Sequence, residues 1–296
     1  MIQKMENKSF CVYTVLLGNY EELNEQEVMK DSGIDFICFT DNRNITSNTW
    51  TIRYIEPELP YDFTRSSRVL KICPHRLLKN YKISLYIDNS VKLLTIPEYI
   101  FEELYTDNDL FVCMNHSFRN TVLDEFEEVA NLKFEFQNIL IKQLNIYQQL
   151  APSIFNEKPY WTGFLIRQHN HEHVVKCMET WLSQIMRYSR RDQLSLNYVK
   201  NKCGLKIRSW DIDNHESKYH VWPSAIRHGS PTVNTDFSLS ISNKLRSVFL
   251  QNKIDQLRID NKVKDKIIYE QEIELNSWPP IRLLRKITDR LRRKSL

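Results

Sequence analysis

The sequence predicts an α/β fold, a mixed sheet with helices on both faces, plus a C-terminal helical extension. Short runs of β-branched and aromatic residues recur along the first 235 or so residues. Stretches with helical apolar spacing separate them, and after Thr235 this alternation gives way to a Gly- and Pro-free, charge-rich segment. Near-continuous apolar strands alternating with helices indicate a sheet buried on both faces. At 296 residues and 42% hydrophobic, the chain can bury a sizeable core.

The strands are placed at "FCVYTVLLG" (10–18), "DFICFTD" (35–41), "ISLYID" (83–88), "LFVCMNH" (110–116) and "YWTGFLIRQ" (160–168). The helices run from Ser66 to Leu78, from the start of "IPEYIFEEL", from Val122 to Leu150 as one long element, and as two elements between Glu172 and Lys202. Thr64, Ser66 or Ser67 marks the start of the first. Residues 1–235 thus form the α/β domain. In such folds ligands bind at the carboxyl ends of the strands. Those ends are polar here: Gly18-Asn19-Tyr20, Thr40-Asp41-Asn42, Asp88-Asn89-Ser90 and Asn115-His116.

Residues 236–276 read as one long helix. Leu250, Ile254, Leu257 and Ile268 fall near heptad spacing, interrupted by Asn261, Lys264 and Gln271. The expectation is a coiled-coil or packing helix that supports a homo-oligomer; a solvated helix is the alternative. Trp278-Pro279-Pro280 breaks the pattern, and residues 277–296 form a basic tail. From Ile281 onward it holds seven Lys or Arg against one Asp, a net +6 in a chain of net +4, so residues 1–280 carry −2. Ile281, Leu284, Ile287 and Leu291 recur on one helical face among the arginines. Such a helix suits an anionic membrane surface rather than nucleic acid. A tail docked on the domain is the plainer alternative.

Composition also excludes. The five glycines are too scattered to write GxGxxG or GxxxxGK, so a Rossmann fingerprint and a Walker P-loop are ruled out. Phosphate would have to be met by basic side chains, a helix N-terminus or a metal ion. The six cysteines include no CxxC, which suits reduced thiols. The first residues have no signal-peptide core, and no apolar run reaches the roughly 18 residues of a membrane span. The expected location is cytoplasmic, peripheral at the inner face of a membrane.

Three places carry candidate chemistry. In "FTRSSRVLKICPHRLL", Arg65, Arg68 and Lys71 recur every three residues along one side of a helix. They suit a diphosphate, or simply a solvated basic face. Asp88 closes a buried strand, where a lone carboxylate is costly. Its "DNS" context suits either Mg²⁺ or Mn²⁺ binding or an Asx-type turn. Asp192 and Gln193 precede an apolar helix, placed either to cap it or to hold sugar hydroxyls. His169, His171 and His173 have the look of a metal cluster but lack a carboxylate partner and the HExxH arrangement.

Taken in order, "YTVLLGNYEEL", "DFICFTDN", "SRVLKICPHRLLKNYKISLYIDNSVKL", "NHSFRNTVLDEFEEV", "WTGFLIRQHN" and "YSRRDQLSL" resemble the glycosyltransferase-like family of TOD and mucilage-related proteins, over roughly residues 10–203. That family, formerly catalogued as a domain of unknown function, includes bacterial members from surface-polysaccharide loci. The resemblance implies a GT-A-like fold, a nucleotide-diphosphate sugar donor, a UDP-sugar first among candidates, and a cell-surface or lipid-linked glycan acceptor. It implies that Thr14, Val15, Gly18, Tyr20 and Asp41 border the nucleotide and that Arg65, Arg68 and Lys71 approach the diphosphate. It implies that Asp88 carries the metal function of a DxD motif, with Ser90 in place of the second carboxylate and His228 as a further ligand. His116 and Arg119 fit the family's "HP-R" segment, with Ser117 replacing the proline. Trp161, Thr162, Gly163, Asp192 and Gln193 then line the sugar and acceptor side, with Asp192, Gln193 and Asp88 catalytic. Two other readings stand beside this one: a degenerate, non-catalytic transferase fold acting as a scaffold, and a nucleotidyltransferase.

Overall fold

The computed structural model describes residues 9–224 and 241–277. The chain divides into two compact units, Met1–Leu245 and Arg246–Leu296. The first is built on a seven-stranded sheet of β1 (Phe10–Leu16), β2 (Asp35–Thr40), β3 (Thr51–Tyr54), β4 (Ile83–Ile87), β6 (Phe111–Asn115), β7 (Tyr160–Arg167) and β8 (Ile207–Trp210). The strand order is β3-β2-β1-β4-β7-β6-β8. β7 alone runs antiparallel to its neighbours; every other adjacent pair is parallel. A two-stranded ribbon pairs β5 (Lys92–Leu93) with β9 (His220–Val221).

β1, β4 and β7 occupy the middle of the sheet and every one of their residues is buried, which is why their sequences are continuous apolar runs. Alternate β1 side chains serve opposite faces. Phe10 and Val12 join a core with Ile100 and Phe101 of α2 (Pro97–Leu104). Tyr13 points the other way and donates its hydroxyl to the Lys71 carbonyl of α1 (Phe63–Ile72) at 2.7 Å. Helices therefore cover both faces, as the sequence predicts.

The edge strands β3 and β8 and the ribbon are absent from the sequence reading. Each is two to four residues long and mostly only partly buried, so none offers an apolar run. The expected single helix from Val122 to Leu150 is instead two, α3 (Val122–Asn131) and α4 (Gln137–Leu150). Between them Lys133 takes φ +54°, a left-handed turn without the usual Gly or Asn signal. The helix expected to reach Leu78 ends at Ile72, before Pro74, and its N-cap is Asp62, whose side chain accepts from the Arg65 amide. α5 (Glu172–Arg187) and α6 (Gln193–Cys203) lie as expected, and α6 closes on Gly204 at φ +64°.

Of the second unit, the described part is the continuation of α7 (Ile241–Ser277). Leu250, Ile254, Leu257 and Ile268 are 44–54% exposed, so this apolar stripe is uncovered among the described residues. The basic tail beyond residue 277 and His228 lie outside the described residues. Among the described helices none is long and apolar enough to cross a membrane.

Candidate active site

The carboxyl ends of β1 and β4 open into a cavity of about 610 Å³, within the usual range for a small-molecule site. The reversed direction of β7 completes it. Because Ile87 pairs with Phe164 and Met114 with Trp161, the beginning of β7 lies beside the ends of β4 and β6. Trp161, Thr162 and Gly163 therefore reach the same rim as Asp88. The Asp88 amide extends this ladder by donating to the Gly163 carbonyl at 2.9 Å. A Cβ on Gly163 would sit 2.7 Å from the Trp161 ring, so glycine is required by close packing.

"DNS" is a turn as well as a cavity wall. The Val91 amide closes it on the Asp88 carbonyl at 2.8 Å. Asn89 donates to Glu21 Oε2 at 2.9 Å and to the Glu22 carbonyl, and accepts from the Asn24 amide, fixing the segment after β1. Ser90 Oγ accepts from Trp222 Nε1 at 3.0 Å, fixing the opposite wall. Asp88 is the partly exposed member; its Oδ1 accepts from the Tyr86 hydroxyl at 2.6 Å and from Lys71 Nζ at 3.2 Å.

Lys71 gathers the site. Its side chain is 1% exposed, and Nζ lies 2.6 Å from Asp192 Oδ2, 3.2 Å from Asp88 Oδ1 and 3.4 Å from Thr162 Oγ1. Arg68 Nε approaches the same Asp192 oxygen at 3.5 Å. Burial alone would raise the Asp192 carboxyl, but Arg68, Lys71 and Arg191 outweigh it and hold Asp192 well below the usual carboxylate range. Asp192 makes no side-chain cap on α6, so the capping alternative fails; instead its carbonyl accepts from Trp181 Nε1 and Ser195 Oγ, which fixes its position.

Val15, Gly18, Tyr20, Arg68, Asp88, Ser90, His116, Arg119, Trp161, Thr162, Gly163, Asp192 and Gln193 all line this one cavity. Other expected residues serve it from behind. Thr14 is fully buried. Asp41 accepts from the Gly18 amide at 3.1 and 3.2 Å, holding the turn after β1, where Gly18 has φ +81° and no room for a Cβ against Phe63. Arg65 donates to the Ile185 and Tyr188 carbonyls and pairs with Asp62, tying α1 to the end of α5. Arg65, Arg68 and Lys71 thus do three different things rather than forming one basic face. The three histidines of "HNHEH" make separate bonds: His169 to the Leu78 carbonyl, His171 as the α5 cap, and His173 to the Cys203 carbonyl.

The sequence reading missed three groups. Glu125, Glu128, Arg190 and Arg191 line the cavity from α3 and the approach to α6. Phe118 and Trp222 add an aromatic wall in which Phe118 stacks on His215 at 4.8 Å and Trp222 meets the edge of Trp161 at 5.7 Å. Tyr86 supplies the hydroxyl on Asp88. A signal existed for Glu125: it shares a helical face with Val122, Phe126 and Val129, where a carboxylate is out of place.

Of the metal ligands expected from the sequence, the described ones are Asp88, already bonded to a phenol and an ammonium, and Ser90, whose hydroxyl is already bonded to Trp222. They do not by themselves make a metal site. Among the described residues one cluster has metal-ligand geometry, Cys73, His75 and Glu179, away from the cavity. There Arg76 already pairs with Glu179 at 2.7 Å.

The chain belongs to the TOD1/MUCI70 glycosyltransferase-like domain family, whose model matches residues 2–219. It is 26% identical over 221 residues to the probable hexosyltransferase MUCI70 of Arabidopsis thaliana, a match covering 71% of this chain and 36% of that protein. Among solved structures it is similar to the WbbM bifunctional glycosyltransferase in its apo form, with TM-score 0.44 and 10% identity over 69% of this chain and 39% of that one. It is also similar to apo mouse xyloside xylosyltransferase 1, with TM-score 0.41 and 8% identity over 68% of this chain and 85% of that one.

Proposed function

We propose that the domain transfers a sugar, a hexose by analogy with its plant relative, from a nucleotide-diphosphate donor to a glycan acceptor. The observation that carries this reading is the convergence on Lys71 of Asp88, Thr162 and Asp192, three segments distant in sequence, at the rim where α/β folds bind ligands. In this reading the sheet is GT-A-like and the guanidinium groups of Arg68, Arg190 and Arg191 face the diphosphate, opposing the charge that develops on the leaving group. Asp192, fixed as an anion, and Gln193 hold sugar hydroxyls, and Trp161, Trp222 and Phe118 supply apolar surface for sugar rings. Asp88 is the carboxylate this reading gives to Mg²⁺ or Mn²⁺, with His228 a candidate beyond the described residues.

Calorimetric titration with UDP, GDP and CMP, each with and without Mn²⁺, tests the reading. Binding of UDP, weakened by Arg68→Gln, is expected; no binding under any condition would favour the second reading, a non-catalytic scaffold. That alternative draws on Asn89 and Ser90, whose side chains are both committed to structural hydrogen bonds. Asp88→Asn and Asp192→Asn are each expected to stop donor turnover while leaving the fold cooperative.

The tail is assigned to an anionic membrane surface, which would bring the domain to a lipid-linked or surface glycan on the cytoplasmic side. Removing residues 279–296 should release the protein from phosphatidylglycerol vesicles, and unchanged vesicle binding would refute the anchor.

A further inference from the structure

Three buried carboxyl groups line the cavity; Glu21 accepts from Asn89, and the surroundings of the other two drive them in opposite directions. Asp192 is pinned as an anion by Lys71 and Arg68. Glu125, 4% exposed on α3, has weaker partners. The end of β6 brings His116 Nε2 to 3.7 Å from its Oε2, and the following loop brings Arg119 Nε to 3.5 Å. Arg119 is itself drawn away by Glu128, one turn along α3, at 2.8 Å. From the approach to α6, Arg191 lowers and Asp192 raises the Glu125 carboxyl through their charges. Burial exceeds these effects and pushes Glu125 up to about 7. His116 cannot share the proton, because burial, with Arg119, His215 and Lys158 adding to it, holds its imidazole down at about 3.

A cavity that keeps one carboxylate charged near neutrality and leaves a second poised to exchange a proton has separated the roles of electrostatic anchor and acid-base group. We propose that Glu125 is the general base that accepts the proton of the incoming acceptor hydroxyl. This rests on the glycosyl-transfer reading and adds a catalytic residue to it. The acceptor oxygen forms a bond to the anomeric carbon as that carbon's bond to the diphosphate oxygen breaks. The bonding pair departs with the nucleoside diphosphate, and the hydroxyl proton passes to a Glu125 oxygen. One displacement on the face opposite the leaving group inverts the anomeric configuration. His116 and Arg119 are positioning residues that hold the carboxylate toward the cavity.

The test uses the full chain with water as the probe acceptor. UDP-glucose, UDP-galactose, UDP-N-acetylglucosamine and GDP-mannose are screened for nucleotide release, and the fastest is carried forward. Wild-type kcat/KM is expected to fall with unit slope below about pH 7. Glu125→Gln should lower kcat on the order of 100-fold with the Kd for UDP within about threefold, and Glu125→Asp should recover part of the rate. Turnover of Glu125→Gln within about threefold of wild type overturns the proposal. So does a loss of UDP affinity as large as the loss of rate, which is what a merely structural role would give. If Glu125→Gln fails to fold, the Glu125→Asp profile decides, since an acid limb unchanged in position and height refutes the base. Absence of UDP binding by the wild type overturns the transfer reading itself; wild-type turnover with a normal Glu125→Gln rate overturns the base assignment alone.

Discussion

Replacing Lys71 by Met keeps the length and apolar stem of the side chain and deletes the ammonium. Lys71 and Asp192 have side chains 1% and 3% exposed and an N–O separation of 2.6 Å, so solvent screening does not discount their interaction. Removing one partner of a buried ion pair costs about 3–5 kcal/mol. Asp192 keeps Arg68 at 3.5 Å, which places the expected loss near the lower end, about 3 kcal/mol at pH 7. Urea denaturation of the wild type, Lys71→Met, Asp192→Asn and the double variant measures it, and the cycle should return a coupling of about 2 kcal/mol. The sign with pH follows from Asp192. Its folded carboxyl is depressed, so the pair's stabilisation is fully present above the ordinary carboxylate range and is lost as pH falls through the depressed value. The gap between wild type and Lys71→Met should therefore narrow in acid. A loss under about 1 kcal/mol at pH 7, or additive single variants, would refute the view that this pair holds the site together.

Glu125 should behave in the opposite sense. Its folded carboxyl lies at about 7 against an ordinary 4.5, so its stabilising effect is complete below pH 4.5 and lost as pH rises through 7. Glu125→Gln should therefore match the wild type at pH 4 and exceed it above pH 8 by up to ~3 kcal/mol, read by urea denaturation at both pH values. Gly163→Ala should cost about 1–3 kcal/mol and change tryptophan fluorescence, because the new methyl meets a Trp161 ring that is stacked on His220. If α7 joins two copies, sedimentation equilibrium should give a dimer that Leu257→Asp converts to monomer; an unchanged mass would refute self-association through this stripe.

Much of this was legible in residue pattern. The five central strands are buried runs, and burial on both faces writes an unmistakable sequence. Asp88 was legible for a related reason, as a carboxylate ending such a run. What stayed hidden depends on contacts rather than periodicity. β3 and β8 are short edges. Lys133 breaks a helix without Gly or Pro. Nothing along α1 says that Arg65 will reach the end of α5 while Lys71, two turns on, turns inward to Asp192. At "DNS" the turn is what the structure shows: Asn89 and Ser90 brace it, and Asp88 lines the cavity from it.

The antiparallel β7 has a consequence for how the protein is made. Lys71 must wait 91 residues for Thr162, and Ser90 must wait 132 for Trp222. Contacts this remote form slowly and only after much of the chain has been synthesised. A nascent chain emerging from the ribosome therefore passes through most of its length with the first strands and α1 available but no complete cavity. The cavity is complete only when the last wall arrives, and a product truncated before Asp192 would lack the carboxylate that pairs with Lys71 and Arg68.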